Sequence, residues 1–459
     1  MRWGLGLIIL VAVVWRFWDY QNRWVLNQDQ ARDATIALYA LRNSKVPEIG
    51  SPSSAGPFNF GPWYFWLIML SERIVPTVVG PWIGFTVLSV ISVILYYLTG
   101  GWITGILAAI SVGLVENAPD MLNTVIVGWT SAVALWALWR KKYFLMGLFV
   151  GLSINSHFQS WGLLSLIVAA VVLEKERLKT MWRSGAGLAT SFLPLLWFDV
   201  RHGLVWARSV VEYYTVGVKR FYVPVRWLTE VRDFWPQLFG SVTVGIKGFG
   251  YVWLVAGVVA IFLMIKNKKK IERFWLILGL SLLIQVLLMR FYRGVRSREY
   301  LIVFHGYIVL ICGWILTEFY KLNKVIGVGL VVAVTVLAGW SNIKIMRERP
   351  SQVVAVTTMK KQLDSQFPGK ISVYNWQESN MVAMPLFYLW YRENKIGSAE
   401  EKIGFCDANR YVCPEGQVLE MDHYRAYKLG DTTGFEQLTD KSIYYGTLYV
   451  NYGIKGGDK

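Results

Sequence analysis

The chain has 459 residues, of which 54% are apolar and 17% are charged. An ordinary soluble domain carries about 25% charged residues, so that class of protein is excluded. Lys and Arg outnumber Asp and Glu by 47 to 30, a net charge of +17. A soluble chain this basic would suggest nucleic acid. Apolar runs of membrane-spanning length recur here, however, so we predict a multi-pass membrane protein that contacts lipid and no nucleic acid.

Apolar runs follow one another almost to residue 342. In chain order they cover residues 3–18, 62–78, 80–98, 102–116, 123–139, 143–156, 160–173, 185–199, 241–265, 274–290, 300–316 and 324–342. The run at 62–78 contains two prolines and two charged residues, so we expect a juxtamembrane or re-entrant helix there. This leaves about eleven transmembrane helices, the first of them a retained anchor.

Basic clusters fix the expected orientation. They lie at residues 140–142, 175–183, 266–273 and 321–324, which all fall on one side of the membrane. The positive-inside rule places that side in the cytoplasm, together with the N-terminus. For a plasma-membrane protein, the outer segments are then the first loop at 19–79, an amphipathic loop at 200–240 and a soluble domain at 343–459.

The C-terminal segment resembles a small α+β domain. The runs ISVYNW, YRAYKL and SIYYGTLYV have strand-like alternation and are separated by polar turns. Cys406 and Cys413 would form a disulfide in an oxidising compartment, and the alternative is two free thiols.

Several kinds of chemistry have no motif in the chain. GxxxxGK[ST], HExxH, paired CxxC and GxSxG motifs are all missing, so nucleotide hydrolysis, structural zinc and serine-hydrolase chemistry lack support. Acidic residues are scarce in the apolar runs, which leaves an ion-coupled transporter little to work with.

Acidic residues do occur on the expected outer side. Asp29 and Asp33 in NQDQARDA would share a helix face, or else Asp29 is a helix cap and Asp33 a solvated first-turn residue. Glu116 and Asp120 in GLVENAPD lie on the same side with no cation in their loop. A shared site and an ordinary loop both remain open.

Four arginines crowd the expected outer side in RFYRGVRSREY, namely Arg290, Arg293, Arg296 and Arg298. The guanidinium fork binds phosphate through two charge-assisted hydrogen bonds, which suits a lipid phosphate. The alternative is that these side chains only reach to headgroups.

Two further polar groups follow apolar runs. His157 ends one run, where the alternative to a site is a capped interfacial residue. Asp199, Arg201 and His202 end another run, and a structural salt bridge would equally explain them.

Four strings in register carry a resemblance. They are DQARDA, GPFNFGPWYFWL, GLFVGLSINSHFQ and LPLLWFDVRHG, within about residues 1–342. In this order they resemble the prokaryotic dolichyl-phosphate-mannose protein mannosyltransferase-like family of GT-C type glycosyltransferases, with lipid A aminoarabinose transferase as a distant relative. The resemblance implies a GT-C transmembrane domain at 1–342.

It also implies sugar transfer, with inversion, from a polyprenyl-phosphate-linked donor to an acceptor that is a lipid, a glycan or a protein. Asp29 matches the family's catalytic acid. The second acid is replaced by Gln30, which leaves Asp33, Glu116 or Asp120 as the second acid or as ligands of a divalent metal ion. The family's basic residue before the Gly-Pro step is also missing, since Phe60 and Gly61 stand there.

The expected chemistry needs a base and a phosphate site. One carboxylate can take the acceptor's proton. The phosphate leaves as a stable anion, so no general acid is needed, and Arg296, Arg298 and Tyr300 are its expected contacts. Arg32, His157, Asp199, Arg201 and His202 are expected to support the site. A flippase of lipid-linked sugars and a non-enzymatic membrane scaffold are the alternatives.

Overall fold

Helices dominate the molecule. The computed structural model describes residues 2–53, 56–213, 215, 230–289, 297–348, 352–376, 380–397, 401–421, 424–449 and 452. Part of the 200–240 loop and Arg290, Arg293 and Arg296 lie outside these residues.

The helices before residue 349 mostly coincide with apolar runs, and those at 20–23, 28–42 and 205–212 lie between runs. They are α1 (Arg2–Phe17), α2 (Tyr20–Arg23), α3 (Gln28–Arg42), α4 (Trp63–Ile74), α5 (Gly80–Ile110), α6 (Val112–Glu116), α7 (Ile126–Trp139), α8 (Tyr143–Ile154), α9 (Leu164–Leu173), α10 (Arg177–Arg201), α11 (Val205–Glu212), α12 (Trp235–Val244), α13 (Phe249–Lys266), α14 (Arg273–Leu288), α15 (His305–Leu322) and α16 (Lys324–Glu348). Segments Phe158–Leu163 and Arg298–Phe304 are 3₁₀-helical, and Glu230–Phe234 is π-helical.

Two of the expected runs form the two halves of α5, which run in opposite directions on either side of Gly101. In α5, Gly101 adopts φ 82° and ψ −171°, a conformation open to glycine. The buried guanidinium of Arg16 donates hydrogen bonds both to Ser89, before this break, and to the carbonyl of Ala109, after it. A straight helix would separate those two residues by about 30 Å at 1.5 Å per residue. The halves of α5 therefore lie antiparallel, as the separate runs predict.

One expected span is shorter than predicted. The run at 241–265 is divided by Gly245, which has φ 74° and ends α12. The apolar helix α13 starts only at Phe249, and α12 packs back against it. The prediction of a single element from 241 was wrong because residues 245–248 (GIKG) form an exposed break between two strongly apolar segments.

Several helices have the length and composition of transmembrane segments. Among the described residues, the four that qualify on both counts are Gly80–Ile110, Phe249–Lys266, Arg298–Leu322 and the helix that begins at Lys324. Shorter apolar helices are Gly4–Phe17, Ile126–Trp139, Tyr143–Ile154, Phe158–Leu173 and Arg273–Leu288. Helix α4 has 12 residues, about 18 Å at 1.5 Å per residue, which is too short to cross a hydrocarbon core.

The basic loops share one end of the helical bundle. Arg273 binds Glu174 over 3.2 Å, and Lys269 lies 3.9 Å from Glu318, so three loops meet there. Helix α10 leaves that end at Arg177, and Arg201 at its other end pairs with Glu48 in the first loop. The first loop, with helices α3 and α4, therefore belongs to the opposite end, which we call the α3 side.

The C-terminal segment forms a mixed sheet with helices. Strands β1 (Ile371–Trp376), β2 (Glu401–Asp407), β3 (Leu419–Met421), β4 (Tyr424–Lys428) and β5 (Phe435–Leu438) have the order β3-β4-β2-β1-β5. Strands β1 and β2 are parallel and the other pairs are antiparallel. The helices are α17 (Gln352–Gln366), α18 (Asn380–Arg392) and α19 (Asp440–Leu448). A disulfide joins Cys406 to Cys413.

One expected strand is a helix. SIYYGTLYV falls largely within α19, which begins with a capping box between Thr439 and Ser442. The reciprocal hydrogen bonds satisfy backbone groups of the first turn, and the tyrosine-rich sequence that suggested a strand then packs as a helix.

The C-terminal segment shares a hydrophobic core with the α3 side. One cluster of buried side chains includes Ala37 of α3, Phe65 of α4 and Trp390 of α18. Helix α18 therefore packs directly on the first loop.

Candidate functional site

The first turn of α3 carries an exposed carboxylate. Asn27 caps this helix, because its side-chain oxygen accepts a hydrogen bond from the Asp29 backbone N–H over 3.2 Å. The Asp29 side chain is thus free of the capping role and is 56% exposed. Its Oδ1 lies 2.8 Å from the Arg32 guanidinium. The cap interpretation of Asp29 was wrong, and an accessible acid remains.

Asp33 lies behind this pair and is buried rather than solvated. Arg32 donates from Nε to Asp33 over 2.9 Å, and the Asp33 side chain is only 2% exposed. The Tyr64 hydroxyl lies 3.1 Å from the same carboxylate. Burial raises the pKa of Asp33, and Arg32 opposes the rise. Asp33 therefore fits an orienting role for Arg32 better than contact with a substrate.

The residue that replaces the family's second acid has a partner on another loop. Gln30 is buried and donates from Nε2 to Oδ1 of Asp120 over 2.6 Å. Nearby, the Val25 backbone N–H donates to the carbonyl of Pro119 over 3.1 Å. The loop with Asp120 is therefore attached to the start of α3.

Glu116, four residues before Asp120, finds its cation far along the chain. Arg298 donates from its guanidinium to Oε1 of Glu116 over 2.9 Å. The Arg298 side chain is 76% exposed, so most of its donors remain available. Glu116 also lines a cavity of about 140 Å³ together with Asn22, Arg23 and Asn342. The loop itself has no cation, as expected, and the partner of Glu116 comes from a distant segment.

His157 and Tyr300 form an aromatic stack beside this pair. Their rings are 4.9 Å apart and tilted by 22°, and Phe60 lies 5.8 Å from His157 on another side. His157 also caps the following 3₁₀ segment by accepting from the Gln159 N–H. Burial lowers its pKa from 6.5 to about 4, so the ring is neutral at neutral pH. The stacked His157 ring therefore holds the Tyr300 ring in place, two residues after Arg298.

The group at the end of α10 is structural. Asp199 is buried and accepts hydrogen bonds from the backbone N–H groups of Trp206 and Ala207, at the start of α11. Arg201 instead pairs with Glu48 over 2.6 Å, and the His202 ring bonds the carbonyl of Phe198 over 2.8 Å. A structural salt bridge therefore does lie at this helix end, although its acid is Glu48 rather than Asp199. The described contacts of Asp199, Arg201 and His202 hold α10, α11 and the first loop together.

The acids do not all converge. The Asp29 contact in the structure is to Arg32, whereas Glu116 meets Arg298 and Asp120 meets Gln30. The 140 Å³ cavity is lined by Glu116 without Asp29. Within the described part of the chain, no three His, Cys, Asp or Glu side chains are grouped to hold a metal ion. Arg296 lies outside the described residues.

Sequence reasoning missed Tyr64 and the role of Gln30. Tyr64 sits in GPFNFGPWYFWL, which marked the family resemblance but gave no reason to single out a hydroxyl. Its side chain reaches both Asp33 and the carbonyl of Met121, so it connects α3 with the Asp120 loop. Both contacts join distant segments and leave no local spacing signal.

Comparison with solved structures identifies the fold. ArnT from Cupriavidus metallidurans, in the apo state, superposes with a TM-score of 0.63 at 10% identity, over 92% of this chain and 97% of that one. The same protein bound to undecaprenyl phosphate gives 0.58, with the same identity and coverage. The oligosaccharyltransferase AglB from Archaeoglobus fulgidus, in complex with an inhibitory peptide and a dolichol-phosphate, gives 0.50 at 11% identity, over 87% and 69% of the two chains.

No family model matches the sequence. No curated protein matches it either. The structural likeness nevertheless covers nearly the whole chain, and both neighbours have the GT-C fold. The chain is therefore a helical membrane protein with the GT-C fold, as the four sequence strings imply.

Proposed function

We propose that the protein is a membrane glycosyltransferase. It would move a sugar, with inversion, from a polyprenyl-phosphate-linked donor to an acceptor outside the cytoplasm. The observation that carries this proposal is that one loop of a GT-C fold joins an exposed acid to an exposed arginine. Arg298 pairs with Glu116, and Asp120, four residues later, accepts a hydrogen bond from Gln30, the neighbour of Asp29. The neighbour ArnT, solved with undecaprenyl phosphate, supports the lipid class of the donor.

Asp29 is the proposed catalytic base. It would take the proton of the acceptor nucleophile as that nucleophile attacks the anomeric carbon. Arg32 contacts Asp29 from one side and Asp33 from the other, so the buried Asp33 holds the guanidinium that orients the base. A single displacement inverts the anomeric centre, because the activated nucleophile attacks from the side opposite the departing phosphate.

Arg298 is the proposed contact for the donor phosphate. Charge builds on that phosphate as the glycosidic bond breaks, and a fixed guanidinium stabilises it in place. Glu116 holds Arg298 at one donor group and leaves others free. Tyr300 supplies a hydroxyl on the same turn, and Arg296 precedes it in sequence.

The proposed orientation puts the α3 side and residues 343–459 outside the plasma membrane. The basic loops at the opposite end then face the cytoplasm, as the positive-inside rule requires. The Cys406–Cys413 disulfide supports this orientation, since disulfides persist in oxidising compartments.

A donor panel tests the activity. Purified protein is incubated with synthetic undecaprenyl-phosphate hexoses and pentoses and a membrane lipid extract as acceptor source. We expect release of undecaprenyl phosphate from one donor class. Asp29→Asn should slow this release by roughly 10²–10⁴-fold, and the control Asp431→Asn, at an exposed turn, should leave it unchanged. No release from any donor would contradict the proposal.

A further inference from the structure

The end of α18 is one of the places where the C-terminal segment contacts the first loop, and it contacts both α3 and α4. Another is α19, where Tyr444 packs on Tyr39 of α3. Arg392, the last residue of α18, donates to Oε1 of Glu72 on α4 over 2.7 Å. Glu72 is 5% exposed, and the Arg392 side chain is 16% exposed. This is an ion pair shielded from water, so its geometry is held more strongly than that of a surface pair.

The same end of α18 receives α3. Arg42 lies in the last turn of α3 and donates to the carbonyls of Tyr391 and Arg392 over 3.0 and 3.2 Å. Its guanidinium also stacks over the Tyr391 ring at 4.4 Å. The last carbonyls of a helix lack partners within the helix and carry partial negative charge, so a cation is favourable there.

These contacts act on the helices that carry the acids. Arg42 and Asp29 are at opposite ends of the 15-residue α3, about 20 Å apart at 1.5 Å per residue. On α4, Glu72 is two turns from Tyr64, whose hydroxyl binds Asp33. The end of α18 thus holds α3 and α4 together at one end, while Tyr64 and Asp33 join them at the other.

We propose that the C-terminal segment acts as a clamp that positions α3, the helix that carries Asp29. Arg42, Glu72 and Arg392 are its positioning residues. This inference rests on the proposed glycosyltransferase function for its effect on turnover. The clamp itself is a statement about the order of α3 and can be measured without any substrate. Neither Arg42 nor Arg392 touches the proposed donor contacts, so the clamp acts through helix placement.

Arg42→Gln is the first test, because Arg42 is exposed and its loss leaves no buried charge. Hydrogen–deuterium exchange of the full-length protein in nanodiscs reports on residues 28–42. We expect exchange there to be faster by roughly tenfold or more, the effect of losing charge-assisted hydrogen bonds. Arg42→Lys keeps the charge but not the planar stack, and it should restore part of the protection.

Arg392→Gln, and the exchanged pair Glu72→Arg with Arg392→Glu, form the second test. The single change should also accelerate exchange in residues 28–42, and the exchanged pair should recover protection. The matched control is Arg425→Gln, which removes an ion pair with Glu420 between β3 and β4. It should leave exchange in α3 at the wild-type rate.

Steady-state kinetics with whichever donor proves active distinguish a loss of α3 positioning from a general loss of stability. Arg42→Gln should lower kcat by roughly 10- to 100-fold, the cost of a misplaced catalytic group, with KM for the donor within about twofold. If α3 exchange stays at the wild-type rate in Arg42→Gln and Arg392→Gln, the clamp is wrong. If α3 loosens but no donor is ever turned over, the clamp stands and the proposed function fails.

Discussion

Arg298 hydrogen-bonds Glu116 over 2.9 Å, although 182 positions separate them in the sequence. The two residues come from segments that the fold brings to the α3 side. Four residues after Glu116, Asp120 accepts from Gln30, the neighbour of Asp29. One loop therefore links the proposed phosphate contact to the start of the helix with the proposed base.

Replacing Arg298 with Ala should weaken donor binding. The loss of a charge-assisted contact of about 1.5–3 kcal/mol, made to the bound donor and to the charge that develops on its phosphate, corresponds to a roughly 10- to 150-fold lower kcat/KM for the donor. Lys should rescue only in part, because it cannot bind phosphate through a planar fork. Steady-state release of undecaprenyl phosphate measures both variants.

Arg201→Ala is the matched control for that change. Arg201 is another exposed arginine on the α3 side, paired with Glu48. It should leave kcat/KM for the donor unchanged. Equal effects of the two substitutions, or an unaffected Arg298→Ala enzyme, would indicate that Arg298 contacts only lipid headgroups and not the donor phosphate.

Asp33→Asn should damage the enzyme less than loss of the base. The change leaves Arg32 with its Asp29 partner but removes the buried charge that holds it. We expect kcat to fall by about tenfold, with Tyr64→Phe causing a similar loss because it removes a hydrogen bond to the same carboxylate. A complete loss of turnover in Asp33→Asn, with normal folding by circular dichroism, would show that Asp33 reacts directly.

The helical architecture is largely readable from the sequence because hydropathy marks each apolar helix. The break between residues 98 and 102 is visible as Gly100-Gly101 between two runs. The break at Gly245 is marked only by Lys247 and Gly248, and the strongly apolar segments on both sides hide it. In SIYYGTLYV, the alternating pattern predicted a strand, but the capping box between Thr439 and Ser442 starts a helix there.

Only part of the candidate site could be predicted from the sequence. Family resemblance selected Asp29, and residue chemistry selected Arg298, but the partner of each carboxylate depends on tertiary contacts. Asp199 illustrates the difficulty, because a buried aspartate that caps a helix has the same sequence appearance as a catalytic one. The attachment of α18 to α3 joins residues about 350 positions apart and leaves no local pattern.

Acidification should destabilise the protein through His157. Burial lowers the pKa of this ring from 6.5 to about 4, so the unfolded chain binds the proton first as the pH falls. His157 contributes stability that is fully present above pH 6.5 and is lost as the pH falls from there toward 4. The loss is at most about 1.4 kcal/mol per pH unit.

Thermal unfolding at about pH 7 and about pH 5 checks this contribution. The drop in Tm between the two conditions should be smaller in His157→Gln than in the wild type. Tyr300→Phe keeps the stacked ring and should retain the wild-type drop. An unchanged drop in His157→Gln would mean that this ring does not govern the pH response.

Thiol labelling in intact cells tests the orientation. Gly430→Cys, at an exposed position of the C-terminal segment, should react with a membrane-impermeant maleimide. Asn267→Cys, in a basic loop, should react only after permeabilisation. The background is low because Cys406 and Cys413 are joined and Cys312 is buried. The reverse pattern would overturn the proposed topology.

The central claim is that Asp29 is the base, and turnover of the Asp29→Asn enzyme tests it most directly. Asn is nearly isosteric but cannot accept the proton, and the side chain is 56% exposed, so folding and donor binding should be nearly unchanged. Turnover should fall by roughly 10²–10⁴-fold, the usual contribution of a positioned base. Near-normal turnover in Asp29→Asn, with Asp33→Asn or Glu116→Gln inactive instead, would contradict the account.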